Sequence, residues 1–151
     1  MKDLNSLIET LESKIEFFES TNQLISKSTV GWQIDHSLKV INAIIDTLKK
    51  SNPSNYKSNF NFKRIVVFAI NSIPRGKANA PKTVRTNDEI FKQDLESQIE
   101  ISKKLVTQLY TLQKNNNFLH PYFGILNLKQ SIKFLKIHTH HHLKIINDIL
   151  A

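Results

Sequence analysis

The chain contains no cysteine. That excludes a disulfide framework, a thiolate metal ligand and a cysteine nucleophile, so any metal must be held by nitrogen and oxygen. Glycine and proline are scarce, at three and four among 151 residues. The prolines fall between apolar-periodic runs, which predicts long helices with few tight turns. No apolar run approaches the roughly 18 residues that a membrane-spanning helix needs, so no membrane partner is expected. Arginine is rare too: only Arg64, Arg75 and Arg85 stand among 21 basic residues. The bidentate fork that reads nucleic acid is nearly missing. The formal charge of +8 is therefore read as a solvated lysine surface, with no specific nucleic-acid partner.

What is present fits one soluble globular domain over residues 1–151, with 40% apolar and 23% charged residues. Met1 to Asn5 lead into an acidic amphipathic pattern rather than an apolar signal core, so the expected location is the cytoplasm. Asp3 opens a first helix with Leu4, Leu7, Ile8, Leu11, Ile15 and Phe18 on one stripe, ending near Thr21-Asn22. A second helix is predicted from Val30 to Lys50, with Ile34, Leu38, Ile41, Ile45 and Leu48 as its main stripe. His36 lies off that stripe, in line with Val40, Ala43 and Thr47, so this helix has two apolar sides.

Ser51 to Asn59 is a polar loop. Phe60 to Ser72 is compatible with a short helix or a strand; helix is preferred because no other segment offers a strand partner. Pro74 to Arg85 is a long basic loop. Thr86-Asn87-Asp88-Glu89 is a capping box opening a helix that runs to the Lys114-Asn117 region. His120 to Gly124 is a turn, and Asn127-Leu128-Lys129-Gln130 caps a last helix reaching almost to Ala151. The expected fold class is all-α: an antiparallel four-helix bundle with a long crossover between its second and third helices, plus a short extra helix.

Four of the six histidines fall between His138 and His142. His138 and His142 are four apart, hence on one helix face, the spacing by which a helix offers two imidazoles to one metal ion. By helical projection both replace apolar residues in the core stripe of Phe134, Ile145 and Ile149. His140 projects to the surface and His141 to the edge of the buried face. Two buried imidazoles need partners, and a metal taking both lone pairs would supply one. The pair alone is equally compatible with core histidines bonded to other side chains.

Trp32-Gln33-Ile34-Asp35-His36-Ser37-Leu38, with His138 and His142, resembles the DinB/YfiT-like superfamily of metal-binding four-helix bundles. His120-Pro121-Tyr122-Phe123-Gly124-Ile125-Leu126 followed by His138-Thr139-His140-His141-His142-Leu143 is similar to the uncharacterised branch marked by an H-P-F-F-G turn and an H-L-D-H-H-L helix. His140 departs from that pattern, which has an acidic residue there. The resemblance covers essentially the whole chain and implies His36, His138 and His142 as ligands of a divalent metal. It also implies chemistry that in some relatives uses low-molecular-weight thiols such as bacillithiol or mycothiol.

Three protein ligands leave a coordination position open to a small-molecule substrate, and an all-imidazole set suits Zn, Ni or Fe. Further substrate-binding or supporting candidates are His141, Asp35, His120, Tyr122 and Arg75, with Lys77 beside Arg75 on the basic loop. The plainer role for His120 is a turn residue whose imidazole satisfies loop backbone. Two functions are compatible with this pattern. One is a metal-dependent enzyme, a thiol-dependent S-transferase or hydrolase-like protein. The other is a non-catalytic stress-response or binding module whose metal is structural or absent. An apolar surplus on the helix faces is compatible with a homodimer.

Overall fold

The computed structural model describes residues 3–76 and 89–151. The basic-loop residues Lys77 and Arg85 and most of the capping box at Thr86-Asn87-Asp88 lie outside these. Among the described residues the chain is mostly helical, with five α-helices and one two-stranded sheet.

Helix α1 (Leu4–Glu12) starts where Asp3 accepts the backbone N–H of Ser6, and it buries Leu4, Leu7, Ile8 and Leu11. It is shorter than its apolar stripe predicts, and a 3-10 turn over Ile15–Phe17 replaces its last turns. The carbonyls of Phe18 and Ser20 accept the N–H groups of Gly31 and Val30, which are among the unpaired donors of a helix start. The seat is close: a Cβ on Gly31 would lie 2.9 Å from the Phe18 carbonyl oxygen.

Helix α2 (Val30–Lys50) has the predicted bounds and is capped by the Thr29 hydroxyl, which accepts the N–H of Trp32 at 3.0 Å. Its main stripe, Ile34, Leu38, Ile41, Ile45 and Leu48, is fully buried. The Phe60 to Ser72 segment, compatible with strand but preferred as helix, forms α3 (Phe62–Ile70), with Asn61 as its cap. Helix α4 (Lys92–Leu109) buries Leu95, Ile99, Ser102, Val106 and Leu109. Helix α5 (Leu128–Leu150) carries the expected capping box: Asn127 Oδ1 accepts from the Gln130 N–H, and Gln130 Oε1 accepts from the Asn127 N–H, both at 3.0 Å. Helices α1 and α2 each pack on both α4 and α5, so the two apolar sides of α2 face different neighbours.

The stretch expected to be a simple turn, in a chain with no strand pairing, is a β-hairpin. Strands β1 (Asn117–His120) and β2 (Gly124–Asn127) pair antiparallel, with Phe118 opposite Leu126 and His120 opposite Gly124. Four-residue strands are too short to show alternation against a helical background, and each supplies the partner the other lacks. Gly124 adopts φ 71°, a left-handed conformation that glycine enters without steric cost.

Arg64 on α3 is buried and holds this hairpin. Its guanidinium donates to the carbonyls of Phe123 and Ile125 and to the side chain and carbonyl of Asn59. The Asn61 side chain donates to the Tyr122 carbonyl. The hairpin thereby closes one end of the space between α2 and α5.

Candidate metal centre

His36 stands in the second turn of α2, and His138 and His142 stand one turn apart on α5. Their ring centroids are 4.6 to 5.2 Å apart, and each offers a ring nitrogen within 4.8 Å of the other two. The His36 ring lies flat on Trp32, with centroids 5.0 Å apart and planes 14° from parallel. Both residues come from the capped first turns of α2, so the Thr29 cap fixes them together. His36 and His142 are buried, while part of the His138 ring faces a cavity.

The protonation pattern follows from the hydrogen bonds. His142 Nδ1 is 2.6 Å from the side-chain oxygen of Gln33. An amide oxygen only accepts, so Nδ1 carries the proton and Nε2 keeps its lone pair. The Gln33 amide nitrogen in turn donates to Ser26 Oγ at 3.3 Å, which orients it. His142 Nε2 is 3.3 Å from His138 Nε2. Two nitrogens bound to one tetrahedral ion at about 2.0–2.1 Å would stand about 3.4 Å apart. His138 Nδ1 is buried with no hydrogen-bond partner among the described residues. Burial, followed by the neighbouring histidines, holds both His138 and His142 well below the usual imidazole pKa. The rings are neutral at physiological pH, the state in which imidazole ligates metal.

These features fit a divalent metal. Three imidazole nitrogen donors converge, His142 has the oriented outer hydrogen bond typical of a ligating histidine, and a cation held by His138 and His142 would engage both lone pairs. Gln33 was not among the residues singled out from the sequence. It is three residues before His36, and the need of a ligating histidine for an acceptor on its other nitrogen is the signal that could have found it.

A cavity of about 540 Å³ opens beside the cluster. Its walls are the His36–Val40–Ala43–Thr47 side of α2, the α5 face with Phe134, His138 and His141, the hairpin, and Ile73, Pro74 and Gly76. The second line on α2 is thus a cavity wall. Of the additional candidates, His120, Tyr122 and His141 are on this cavity. His141 contacts His142 edge-on at 5.2 Å, and its pKa is lowered by burial and then by Arg75.

Asp35 and Arg75 are not brought to the cavity wall. Asp35 faces α4, where its carboxylate meets Lys39 Nζ at 2.8 Å and Gln98 Nε2 at 2.7 Å. Arg75 forms an exposed ion pair with Asp148 at 2.6 Å. His140, projected to the surface, is half-buried against the α1 side, in a shallow pocket with Leu7 and Thr10. His120 fills the role of a turn residue: its Nδ1 accepts the N–H groups of Tyr122 and Phe123 at 3.1 and 3.2 Å.

The chain matches no family model, no curated protein and no solved structure. The chemistry of the centre therefore rests on its own geometry. Among the described residues no helix is long and apolar enough to cross a membrane.

Proposed function

We propose that the protein is a divalent-metal-dependent enzyme acting on a small molecule, with His36, His138 and His142 as ligands in an antiparallel four-helix bundle of DinB/YfiT-like type. The observation that carries this reading is the convergence of three imidazole nitrogens within 4.8 Å at the floor of a cavity large enough for a small ligand. The donor set suits Zn, Ni or Fe. When bound, such an ion would act as a Lewis acid and lower the pKa of a coordinated water or thiol. With no cysteine in the chain, a thiol nucleophile would come from a cosubstrate, as in the thiol-dependent S-transfer that the resemblance implies. Gln33 holds His142 in the ligating tautomer, Trp32 fixes the plane of His36, and the apolar walls of α2 exclude water from the bound molecule.

A second reading is a non-catalytic binding module. It is favoured by the 3.3 Å contact between His138 and His142, since an N–H···N hydrogen bond there would satisfy both Nε2 atoms without metal. Metal analysis of protein purified without nickel resin separates the two. The enzyme reading expects about one divalent ion per chain, lost in His142→Ala. No bound metal, together with unchanged thermal stability of that variant, would sink it. Salt-dependent DNA binding indifferent to the substitution would favour the module.

A further inference from the structure

The hairpin histidine has more to do than close its turn. His120 Nδ1 accepts two backbone N–H groups, from Tyr122 and Phe123. A nitrogen that accepts carries no proton, so the neutral ring must be protonated at Nε2. The ring cannot turn over easily. It stacks on Phe123 with centroids 4.4 Å apart and planes 14° from parallel, and Phe134 meets it edge-on at 4.5 Å. A flip would also leave both turn N–H groups without their acceptor. With Nδ1 directed back into the hairpin, the opposite edge of the ring, bearing Nε2–H, is left to the cavity that His120 shares with His36, His138 and His142.

We propose that His120 is a ligand-binding residue: a neutral imidazole locked as the Nε2–H tautomer, donating a hydrogen bond to the oxyanion head of a small, apolar-bodied molecule held beside the three-histidine cluster. A monocarboxylate is the simplest member of that class. This rests on the metal reading above and names the ligand chemistry of the same site. Three neutral ligands leave the full charge of a divalent ion uncompensated, and no Asp or Glu lines the cavity among the described residues. The bound molecule therefore supplies the negative charge. The cavity walls, including Val40, Ile44, Phe118 and Phe134, call for an apolar body. Burial pushes the His120 pKa down to about 4, so the ring remains a neutral donor at physiological pH.

The test is titration calorimetry with benzoate on the full chain, purified without nickel resin and loaded with zinc, with metal content measured for each variant. His120→Asn is the decisive substitution. Its side-chain oxygen can keep the acceptor for the turn N–H groups, while its shorter side chain leaves no donor where Nε2 stood. The expected result is benzoate binding by the wild type and about tenfold weaker binding by His120→Asn, with zinc content unchanged. Equal affinity in the two proteins overturns the role of His120. Failure of zinc-loaded wild type to bind benzoate overturns the ligand class. Failure of the wild type to take up zinc overturns the metal reading instead. Long-range proton–nitrogen NMR of the metal-free protein decides the His120 tautomer independently, even where the variant does not fold. A proton on Nε2 supports the proposal, and a proton on Nδ1 overturns it.

Discussion

Helix α2 carries buried polar side chains toward two neighbours, and the two sets are finished differently. Toward α4, Asp35 meets both Lys39 and Gln98, and Asn42 accepts a hydrogen bond from Ser102 at 2.8 Å. Toward α5, three imidazoles crowd together, two with nitrogens 3.3 Å apart, and one buried nitrogen has no partner among the described residues. Polar groups that serve only to join helices are normally paired, because an unpaired buried group costs about 1–3 kcal/mol. The α4-facing groups of α2, Asp35 and Asn42, meet that expectation, although Gln108 Oε1 on α4 itself is buried with no partner among the described residues. The α5 side retains unused bonding capacity beside a cavity, the pattern of a site that takes a ligand.

The sharpest way to break this contrast is to remove a donor. His142→Ala is expected to weaken metal binding by more than about a hundredfold, beyond the effect of outer hydrogen-bond partners, as measured by competition with a chelating dye. Gln33→Leu keeps all three ligands but removes the acceptor for His142, and should weaken binding about 10–100-fold in the same assay. If Gln33→Leu binds metal like the wild type, the bond to His142 serves packing alone.

On the α4 side the opposite split is expected. Asp35→Ala leaves Gln98 and Lys39 without their acceptor and should lower stability by about 1–3 kcal/mol in urea unfolding, with metal content unchanged. Loss of metal in that variant would show that the two sides are not independent.

Acid should act on the cavity side. In the unfolded chain each histidine titrates near 6.5, whereas burial holds His120 to about 4 and His138 and His142 well below 6.5. The unfolded state therefore binds more protons in this window, and the metal-free protein loses stability as pH falls from 6.5 toward about 4. His120 contributes on the order of 2 kcal/mol of that loss once its partial solvent access is allowed for. His120→Asn should flatten the pH dependence of the melting temperature by that share. The smallest effect is expected at Arg75→Ala, which removes an exposed ion pair with Asp148 and should change stability by about 0–1 kcal/mol.

Much of the frame was legible in the sequence because long apolar periods dominate it. Val30 to Lys50 declares itself by its stripe and by the Thr29 cap, and the Asn127–Gln130 box marks the start of α5. The inward direction of His138 and His142 follows from helical geometry alone. What stayed hidden depends on contacts between distant segments. The docking of α2 on the carbonyls of Phe18 and Ser20, just after α1 has ended, is encoded by no local pattern of α1. The hairpin is too short to show a period, and its anchoring by Arg64 comes from another helix. Asp35 and His36 are neighbours in the chain, yet about 100° of helical rotation sends them to different partners; only the packing says which one meets the cavity.

Gly31 gives the centre a single adjustable coordinate. The distance between His138 and His142 is set by the pitch of one helix and changes little with tertiary packing. The third donor, His36, rides on α2, and the height of α2 above its neighbours is set where Gly31 N–H meets the Phe18 carbonyl at 2.7 Å. A side chain at position 31 would force the Phe18 segment or the start of that helix to shift, and a shift of the helix would carry His36 with it, five residues downstream. On the metal reading proposed above, affinity would then be retuned, in the laboratory or by drift, from a residue outside the three-histidine cluster.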